Sequence, residues 1–210
     1  MPTAVSAPLA YFPLRAGASW AYAVIDPMRC QLVTVHARAP VEIEAEDLES
    51  GAVVREPAWV LEQSDREAPS YAVARAQGVE ILQRCRVGES GRRSVVMQDN
   101  TGAGMLDRRQ GGEVRHAVVV TEDLRFTGDE SWSRKLPYKG GALRRYRRAG
   151  REDVTVTAGT FSCLKILLDE GETGTIWLAP DVGLVRSVGS IEGLDPTRYL
   201  VLELHSFRGA

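Results

Sequence analysis

Residues 154–186 indicate the fold class most clearly: VTVTAGTFSCLKILLDEGETGTIWLAPDVGLVR. Val154 and Val156 alternate with threonines, the period of two that is typical of a half-buried strand. Apolar residues occupy both faces of 161–168, which predicts a strand that is covered on both sides or lines a cavity. The polar run 169–174 is typical of a hairpin loop, and two further strands follow it. The stretch therefore predicts three or four consecutive antiparallel strands.

Similar short alternating segments recur along the rest of the chain, separated by turn residues. Strands are expected within 11–25 and at 30–37, 41–46, 58–63, 71–77, 79–86, 93–98, 113–121, 142–148 and 198–207. The segment 122–135 is less regular, and a short helical turn is expected near 129–132. About eleven or more strands with almost no helical periodicity predict an all-β fold built on a single curved antiparallel sheet with little helix.

Length and composition fit one globular domain. The chain has 210 residues, 44% of them hydrophobic and 26% charged, with a net charge of −2. This charge favours neither nucleic acid nor an anionic membrane, and no apolar run is long enough to span a bilayer. We expect a flexible lead-in at 1–10 and one domain at 11–210, with a long mobile loop at 99–112.

The cysteines and the N-terminus bear on the cell compartment. Cys30, Cys85 and Cys163 are odd in number and widely spaced, so they define neither a disulfide framework nor a zinc site. No signal peptide is visible, so the protein is expected in the cytosol unless the start shown replaces a removed export signal. The localisation stays open between these two. No metal or cofactor is expected.

Three segments resemble motifs of a broad group of bacterial exported proteins and lipoproteins. YFPLRAGASWAY at 11–22 resembles their YFPL-x-x-G-x-x-W-x-Y opening. VTVTAGTFSCLKI at 154–166 is similar to their V-x-V-P-A-G-T-F-x-C-L-x-V segment, with Thr157 where they have proline. IWLAPDVGLVR at 176–186 is similar to W-x-A-P-G-V-G-L-V. The resemblance implies a half-barrel sheet like that of the lipoprotein carriers LolA and LolB, whose apolar concave face can hold an acyl chain or a hydrophobic partner, and it points to the periplasm or cell envelope.

No catalytic motif is present, and the protein is not expected to be an enzyme. The histidines, His36, His116 and His205, lie on separate predicted strands without metal-ligand spacing, so acid–base chemistry is the less favoured interpretation of them. No serine stands in a G-x-S-x-G context.

Aromatic and apolar residues on two-faced strands are the candidates for a ligand site, because a sheet that is apolar on both faces must be covered. The alternative is that a helix, a loop such as 99–112, or a second layer of sheet fills the concavity. Trp177 is expected in the core, so that its replacement by Asp would unfold the protein. The residues expected to line a concave site are Trp20, Trp59, Phe161, Leu167, Trp177, Val201 and Phe207.

A second candidate surface is an arginine-rich strand. Its members are Arg144, Arg145, Tyr146, Arg147 and Arg148. Aromatic residues among cations can bind single-stranded nucleic acid, but the slightly negative chain favours a structural interpretation. In that interpretation the charges discourage edge pairing, and they face the acidic strand at 41–46.

Two functions follow from these patterns. The first is a non-enzymatic binding module that holds a hydrophobic ligand, such as a lipid or acyl chain, or a hydrophobic partner segment in a concave sheet. The alternative is a structural or assembly protein that docks onto neighbouring subunits through its sheet edges and the strand at 144–148.

Overall fold

The fold is almost entirely β-structure. The computed structural model describes residues 10–26, 29–47, 52–66, 68–90, 93–97, 114–135, 143–169, 174–190 and 199–209. Within these ranges the strands are β1 Ser19–Ile25, β2 Cys30–Glu46, β3 Val53–Gln63, β4 Ser70–Ala74, β5 Gly78–Ser90, β6 Arg93–Met97, β7 Val114–Arg125, β8 Ser131–Lys135, β9 Leu143–Val156, β10 Gly159–Leu168, β11 Gly174–Ala179, β12 Gly183–Ser190 and β13 Tyr199–Arg208.

All thirteen strands of the described ranges belong to one sheet, in the order β3-β4-β5-β7-β2-β1-β13-β12-β11-β10-β9-β8, with β6 paired to β5. Pairing is antiparallel except for one parallel bridge between Ala45 of β2 and Val118 of β7. In the part of the chain described, β8 pairs with β9 alone and ends the order, and β7 and β8 share no backbone pairing. The prediction of an all-β, largely antiparallel sheet is confirmed.

One face of this sheet lines a single large core. Each of the twelve strands on the path above contributes buried side chains to one cluster, among them Tyr22, Tyr146, Ile166, Leu178 and Leu204. These five side chains are between 0% and 8% exposed. Because each β-strand directs alternate side chains to one side, strands from both ends of the order must curve around this core.

A smaller cluster fills a second layer. Ile43, Ala45, Ala58, Val73 and Leu82 form it. The sheet makes this possible because β3 pairs with both β2 and β4, so that β2, β3, β4, β5 and β7 form a circuit of pairings. Ile43 and Ala45 are each 8% exposed, whereas Val41 on the same strand is 45% exposed.

The N-terminal segment 10–18 packs against the turn between β11 and β12. The indole Nε1 of Trp20 donates a hydrogen bond of 2.6 Å to the carbonyl oxygen of Val182. Gly183 has a φ of +94°, and a Cβ at that position would lie 3.4 Å from Pro13 and 3.7 Å from the Trp20 indole. Leu14 and Ala18 are buried beside this contact. The first and third of the motif-like segments thus meet in space.

Two strands are longer than predicted because bulges let pairing continue. In β9, Arg151 pairs with Leu164 but Arg148 pairs with Ile166, so two residues of β9 oppose Lys165. Gly150 is one of them and has a φ of +83°. The sequence predicted separate strands at 142–148 and from 154, whereas the structure has one. A second bulge joins the predicted strands 30–37 and 41–46 into β2.

The remaining structural expectations have different outcomes. The helical turn expected near 129–132 is wrong, because Ser131 begins β8 and Trp132 packs in the large core. The flexible lead-in is expected at 1–10, of which 1–9 lie outside the described residues, and so does the expected mobile loop at 99–112. Among the described residues, no helix is both long enough and apolar enough to span a membrane.

We expect Gly150→Ala to lower the free energy of unfolding by about 1 kcal/mol, because an L-residue is strained at positive φ. Steric overlap is not the cause, since a Cβ there would meet nothing within 4 Å. Gly209→Ala is the matched control, because it is equally open and no positive φ is recorded for it. Urea denaturation of both variants measures the difference, and equal stabilities would contradict a strained bulge.

Candidate functional site

The two faces of the sheet around β10–β13 and β1 differ in exposure. Residues paired across neighbouring antiparallel strands point to the same side. Tyr22 pairs with Leu204, and Ile166 pairs with Ile176, so these buried residues mark the inner face. The alternate residues form the outer face. The inner face therefore supplies the protein's own core, and the expected concave ligand site is occupied by buried side chains.

A row of four apolar residues and one threonine crosses the outer face of five neighbouring strands. Cross-strand pairs link its members in the order Ile25, Val201, Val188, Thr175 and Leu167. Ile25 is 38% exposed, and the other four are half-buried. In the described part of the chain, none of the five belongs to either buried cluster or to the residues packed against them. We call these five residues the outer row.

A charged and aromatic row lies beside the outer row, one pleat repeat along the strands. Its pairs run through Glu203, Arg186, Trp177 and Lys165. The cationic groups of Lys165 and Arg186 lie 5.5 and 5.7 Å from the centre of the Trp177 ring. We call these four residues the tryptophan row. Its side chains are longer than those of the outer row, so they extend further from the sheet along one side of it.

Carboxylates neutralise both cations of the tryptophan row. Glu152 accepts hydrogen bonds from the Trp177 indole and from Lys165, the latter at 3.2 Å. The indole bond, followed by the Lys165 contacts, lowers the pKa of Glu152. Arg186 Nε lies 3.2 Å from a Glu203 oxygen, but it has no partner of hydrogen-bond geometry among the described residues. This row is internally paired.

The predicted ligand residues are divided between these surfaces. Leu167 and Val201 belong to the outer row and Trp177 to the neighbouring row, so the structure brings these three together. The other four lie elsewhere: Trp20 is buried in the large core, Trp59 and Phe161 pack against it, and Phe207 is 41% exposed with its ring 6.1 Å from that of Phe161. The seven do not line one concave surface, because cross-strand register decides which residues share a face.

The arginine-rich strand is divided in the same way. Arg144, Tyr146 and Arg148 point to the side of the large core, whereas Arg145 and Arg147 are exposed on the opposite side. Arg144 pairs with Glu122 of β7 at 2.6 Å, and the Tyr146 hydroxyl donates to the same carboxylate at 3.1 Å. Arg144 thus pairs with an acidic residue of β7.

Side chains also join β7 to β8, where backbone pairing is absent from the described residues. Trp132 donates its indole hydrogen to the Asp123 carbonyl at 2.9 Å and stacks on Tyr146 at 5.2 Å. Arg134 contacts both Glu80 and Asp123, which are only 8% and 5% exposed. No local sequence pattern identifies Glu80 and Asp123 as partners of Arg134. They come close to it because the curvature of the sheet brings β8 beside β5 and β7.

Arg145 and Arg147 are the members of the arginine-rich strand that remain available. Arg147 pairs in register with Leu167, so it continues the outer row by one strand. The backbone amide of Arg145 donates to Asp169 at 2.9 Å, but neither guanidinium has an ion-pair or hydrogen-bond partner among the described residues. Two positive charges without a partner in the described part of the chain therefore stand at one end of the outer row.

The residues considered for catalysis do not converge in the structure. His36 and His205 are exposed on β2 and β13, and the side chain of His116 lies outside the described residues. Cys30 is an exposed thiol, whereas Cys163 is buried. Burial, with added repulsion from Asp153 and Glu152, raises the pKa of Cys163 to about 11. Among the described residues no group of three or more metal-ligating side chains comes together.

Comparison with known proteins identifies two loosely similar solved structures. One is a protein classed as a lipoprotein from Parabacteroides distasonis, with 13% identity and a TM-score of 0.38, covering 94% of this chain and 98% of that one. The other is a protein classed as exported, with a YmcC-like fold, from Bacteroides fragilis, with 10% identity and a TM-score of 0.41, covering 92% and 96%. No protein-family description and no curated protein matches the chain.

We expect Arg144→Glu and Arg145→Glu to differ sharply in stability. Arg144→Glu places a carboxylate against Glu122 and should lower the free energy of unfolding by about 2 kcal/mol. Arg145→Glu changes the exposed neighbour and should stay within about 0.5 kcal/mol of the wild type. Urea denaturation measures both. Equal losses would show that the alternation of inner and outer residues in β9 is wrong.

Trp177 and Leu178 provide a second test on adjacent residues. Leu178→Ala removes a fully buried side chain and should cost about 3 kcal/mol. Trp177→Ala removes a larger, partly buried side chain that packs against the large core and makes two cation–π contacts, and it should cost about 1–2 kcal/mol. The protein should therefore remain folded without Trp177, because this side chain lies at the margin of the core. Complete unfolding of the Trp177 variant, with Leu178→Ala as the reference, would contradict this assignment.

Proposed function

We propose that the protein is a non-enzymatic binding module that holds an apolar ligand, or an apolar segment of a partner, on the outer row. One observation carries the proposal: four apolar residues and Thr175, on five neighbouring strands, form a continuous row whose members belong to neither buried cluster of the described residues. A solvated sheet face usually places polar residues at such positions. The inner face cannot serve in the same way, because its side chains pack against one another.

The size of the outer row is sufficient for modest affinity. Neighbouring strands lie about 4.8 Å apart, so five strands place Ile25 and Leu167 about 19 Å from each other. Covering about 200 Å² of apolar surface would contribute about 5 kcal/mol at 25 cal/mol per Å². After the cost of association, an affinity in the micromolar to millimolar range is reasonable. Such a site suits reversible binding.

A role in assembly is the second candidate. It is supported by the position of β8 at the end of the sheet order and by Arg145 and Arg147 in the adjoining strand, whose guanidinium groups are exposed and have no partner among the described residues. Edge strands and exposed charges of this kind can dock on another chain. The outer row favours the binding module, because it is apolar and lies in the interior of the sheet, away from β8.

The test is titration with dodecyl maltoside below its critical micelle concentration. The double variant Val188→Thr/Val201→Thr places hydroxyl groups in the outer row with little change in strand propensity. It should weaken alkyl binding at least fivefold while the unfolding free energy stays within about 1 kcal/mol. Val53→Thr/Val54→Thr is the matched control, because those valines are 59% and 51% exposed on β3, outside the outer row.

Two outcomes would count against the binding module. If the wild type did not bind dodecyl maltoside, the binding module would be contradicted. If both double variants weakened alkyl binding equally, the outer row would not be the site. A stable oligomer that dissociates on Arg145→Glu/Arg147→Glu, measured by light scattering, would instead support assembly.

A further inference from the structure

We infer that the outer row binds a single-chain amphiphile with an anionic headgroup, its alkyl chain lying across the strands and its headgroup at Arg147 and Arg145. The inference rests on the proposed function and adds the class of ligand. It is carried by the juxtaposition of a row of four apolar residues and Thr175, one residue wide, with two exposed guanidinium groups at one end that have no partner among the described residues.

The width of the outer row selects a narrow occupant. Successive residues on one face of a strand are about 7 Å apart, so the tryptophan row begins immediately beside the apolar residues. A bilayer or a broad apolar protein surface would also cover Lys165, Arg186 and their carboxylates, and would have to remove water from them. A single alkyl chain can follow the row without covering these charges.

The length of the outer row agrees with such a chain. The row spans about 19 Å across five strands. One leaflet of a bilayer, in which an acyl chain extends from headgroup to midplane, is about 15 Å deep in its hydrocarbon part. A chain of that length would lie between Ile25 and Leu167. Trp177 and its two cations would stand along one side of it.

Charge at the Leu167 end fixes the orientation. Arg147 is the cross-strand partner of Leu167, and Arg145 lies on the same face two residues earlier. In contrast, Lys165 and Arg186 already have Glu152 and Glu203 as ion partners. Guanidinium groups bind phosphate and carboxylate oxygens through paired hydrogen bonds. The guanidinium groups of Arg145 and Arg147, which have no ion partner among the described residues, therefore lie at the end of the outer row where the headgroup of a bound amphiphile would lie.

The test compares dodecyl phosphate with dodecyl maltoside, both below their critical micelle concentrations. The wild type should bind the phosphate at least tenfold more tightly than the maltoside. In Arg145→Ala/Arg147→Ala this ratio should fall to about one, and in the outer-row variant Val188→Thr/Val201→Thr both affinities should fall. Arg38→Ala/Arg55→Ala is the matched control, because these arginines pair with Glu62 and Glu44 on β2 and β3.

The outcomes separate this inference from the proposed function. A wild-type ratio near one, with alkyl binding retained, would overturn the anionic headgroup and leave the binding module standing. Loss of binding to both probes would remove both. A ratio that survives in Arg145→Ala/Arg147→Ala would place the headgroup elsewhere. Binding only to vesicles that contain phosphatidylserine would overturn a single-chain ligand in favour of a membrane surface.

Discussion

The hydrogen bond from the Trp20 indole to the Val182 carbonyl fixes the start of β1 against the turn between β11 and β12. Its partners are 162 residues apart, and the bond is buried. The acceptor lies in the turn between β11 and β12, where strand pairing does not reach it. A buried carbonyl without a partner costs about 1–3 kcal/mol, so the turn requires this indole. The positive φ of Gly183 and the nearby ring of Pro13 fix the same contact sterically.

This contact explains what the motif-like segments contribute. Those at 11–22 and 176–186 supply a structural joint that closes one end of the large core. Across the core, Arg134 links β8 to Glu80 of β5, and Arg144 links β9 to Glu122 of β7. The sheet is thus rolled around its own side chains and held by one joint and one bridged gap. Because the inner face is used for this purpose, exposed apolar surface remains on the outer face.

The positions of the strands were predictable from the sequence because the alternation of apolar and polar residues is a local pattern. Which segments join into one continuous strand was less predictable. Gly150 and Pro40 look like strand breaks, yet a bulge admits an extra residue without ending the pairing, so β9 and β2 run on through them. The period of two in a strand predicts that Arg144, Tyr146 and Arg148 lie on one face and Arg145 and Arg147 on the other. The sequence does not predict which face is the core side, because that depends on Glu122, more than twenty residues away.

The candidate site illustrates the same limit. Leu167, Trp177 and Val201 were identified as site residues, but their neighbours Ile25 and Val188 were not, because only cross-strand register aligns them. Register also separates Trp20 from this group by placing it on the inner face. Aromatic content is therefore a weak guide to a binding surface in a rolled sheet, since the largest side chains serve both the core and its outside.

The outer row is informative because its chemistry changes within a few ångströms. Along the row the surface is apolar, whereas one pleat repeat away it carries paired charges around Trp177. The favourable free energy of binding grows with the apolar area that a ligand covers, whereas each charge that it covers must lose water at a cost. The free energy of binding is therefore most favourable for a ligand no wider than the row. At the Leu167 end this restriction ceases, because the charge of Arg147 has no internal partner in the described part of the chain. An apolar chain with an anionic end satisfies both conditions.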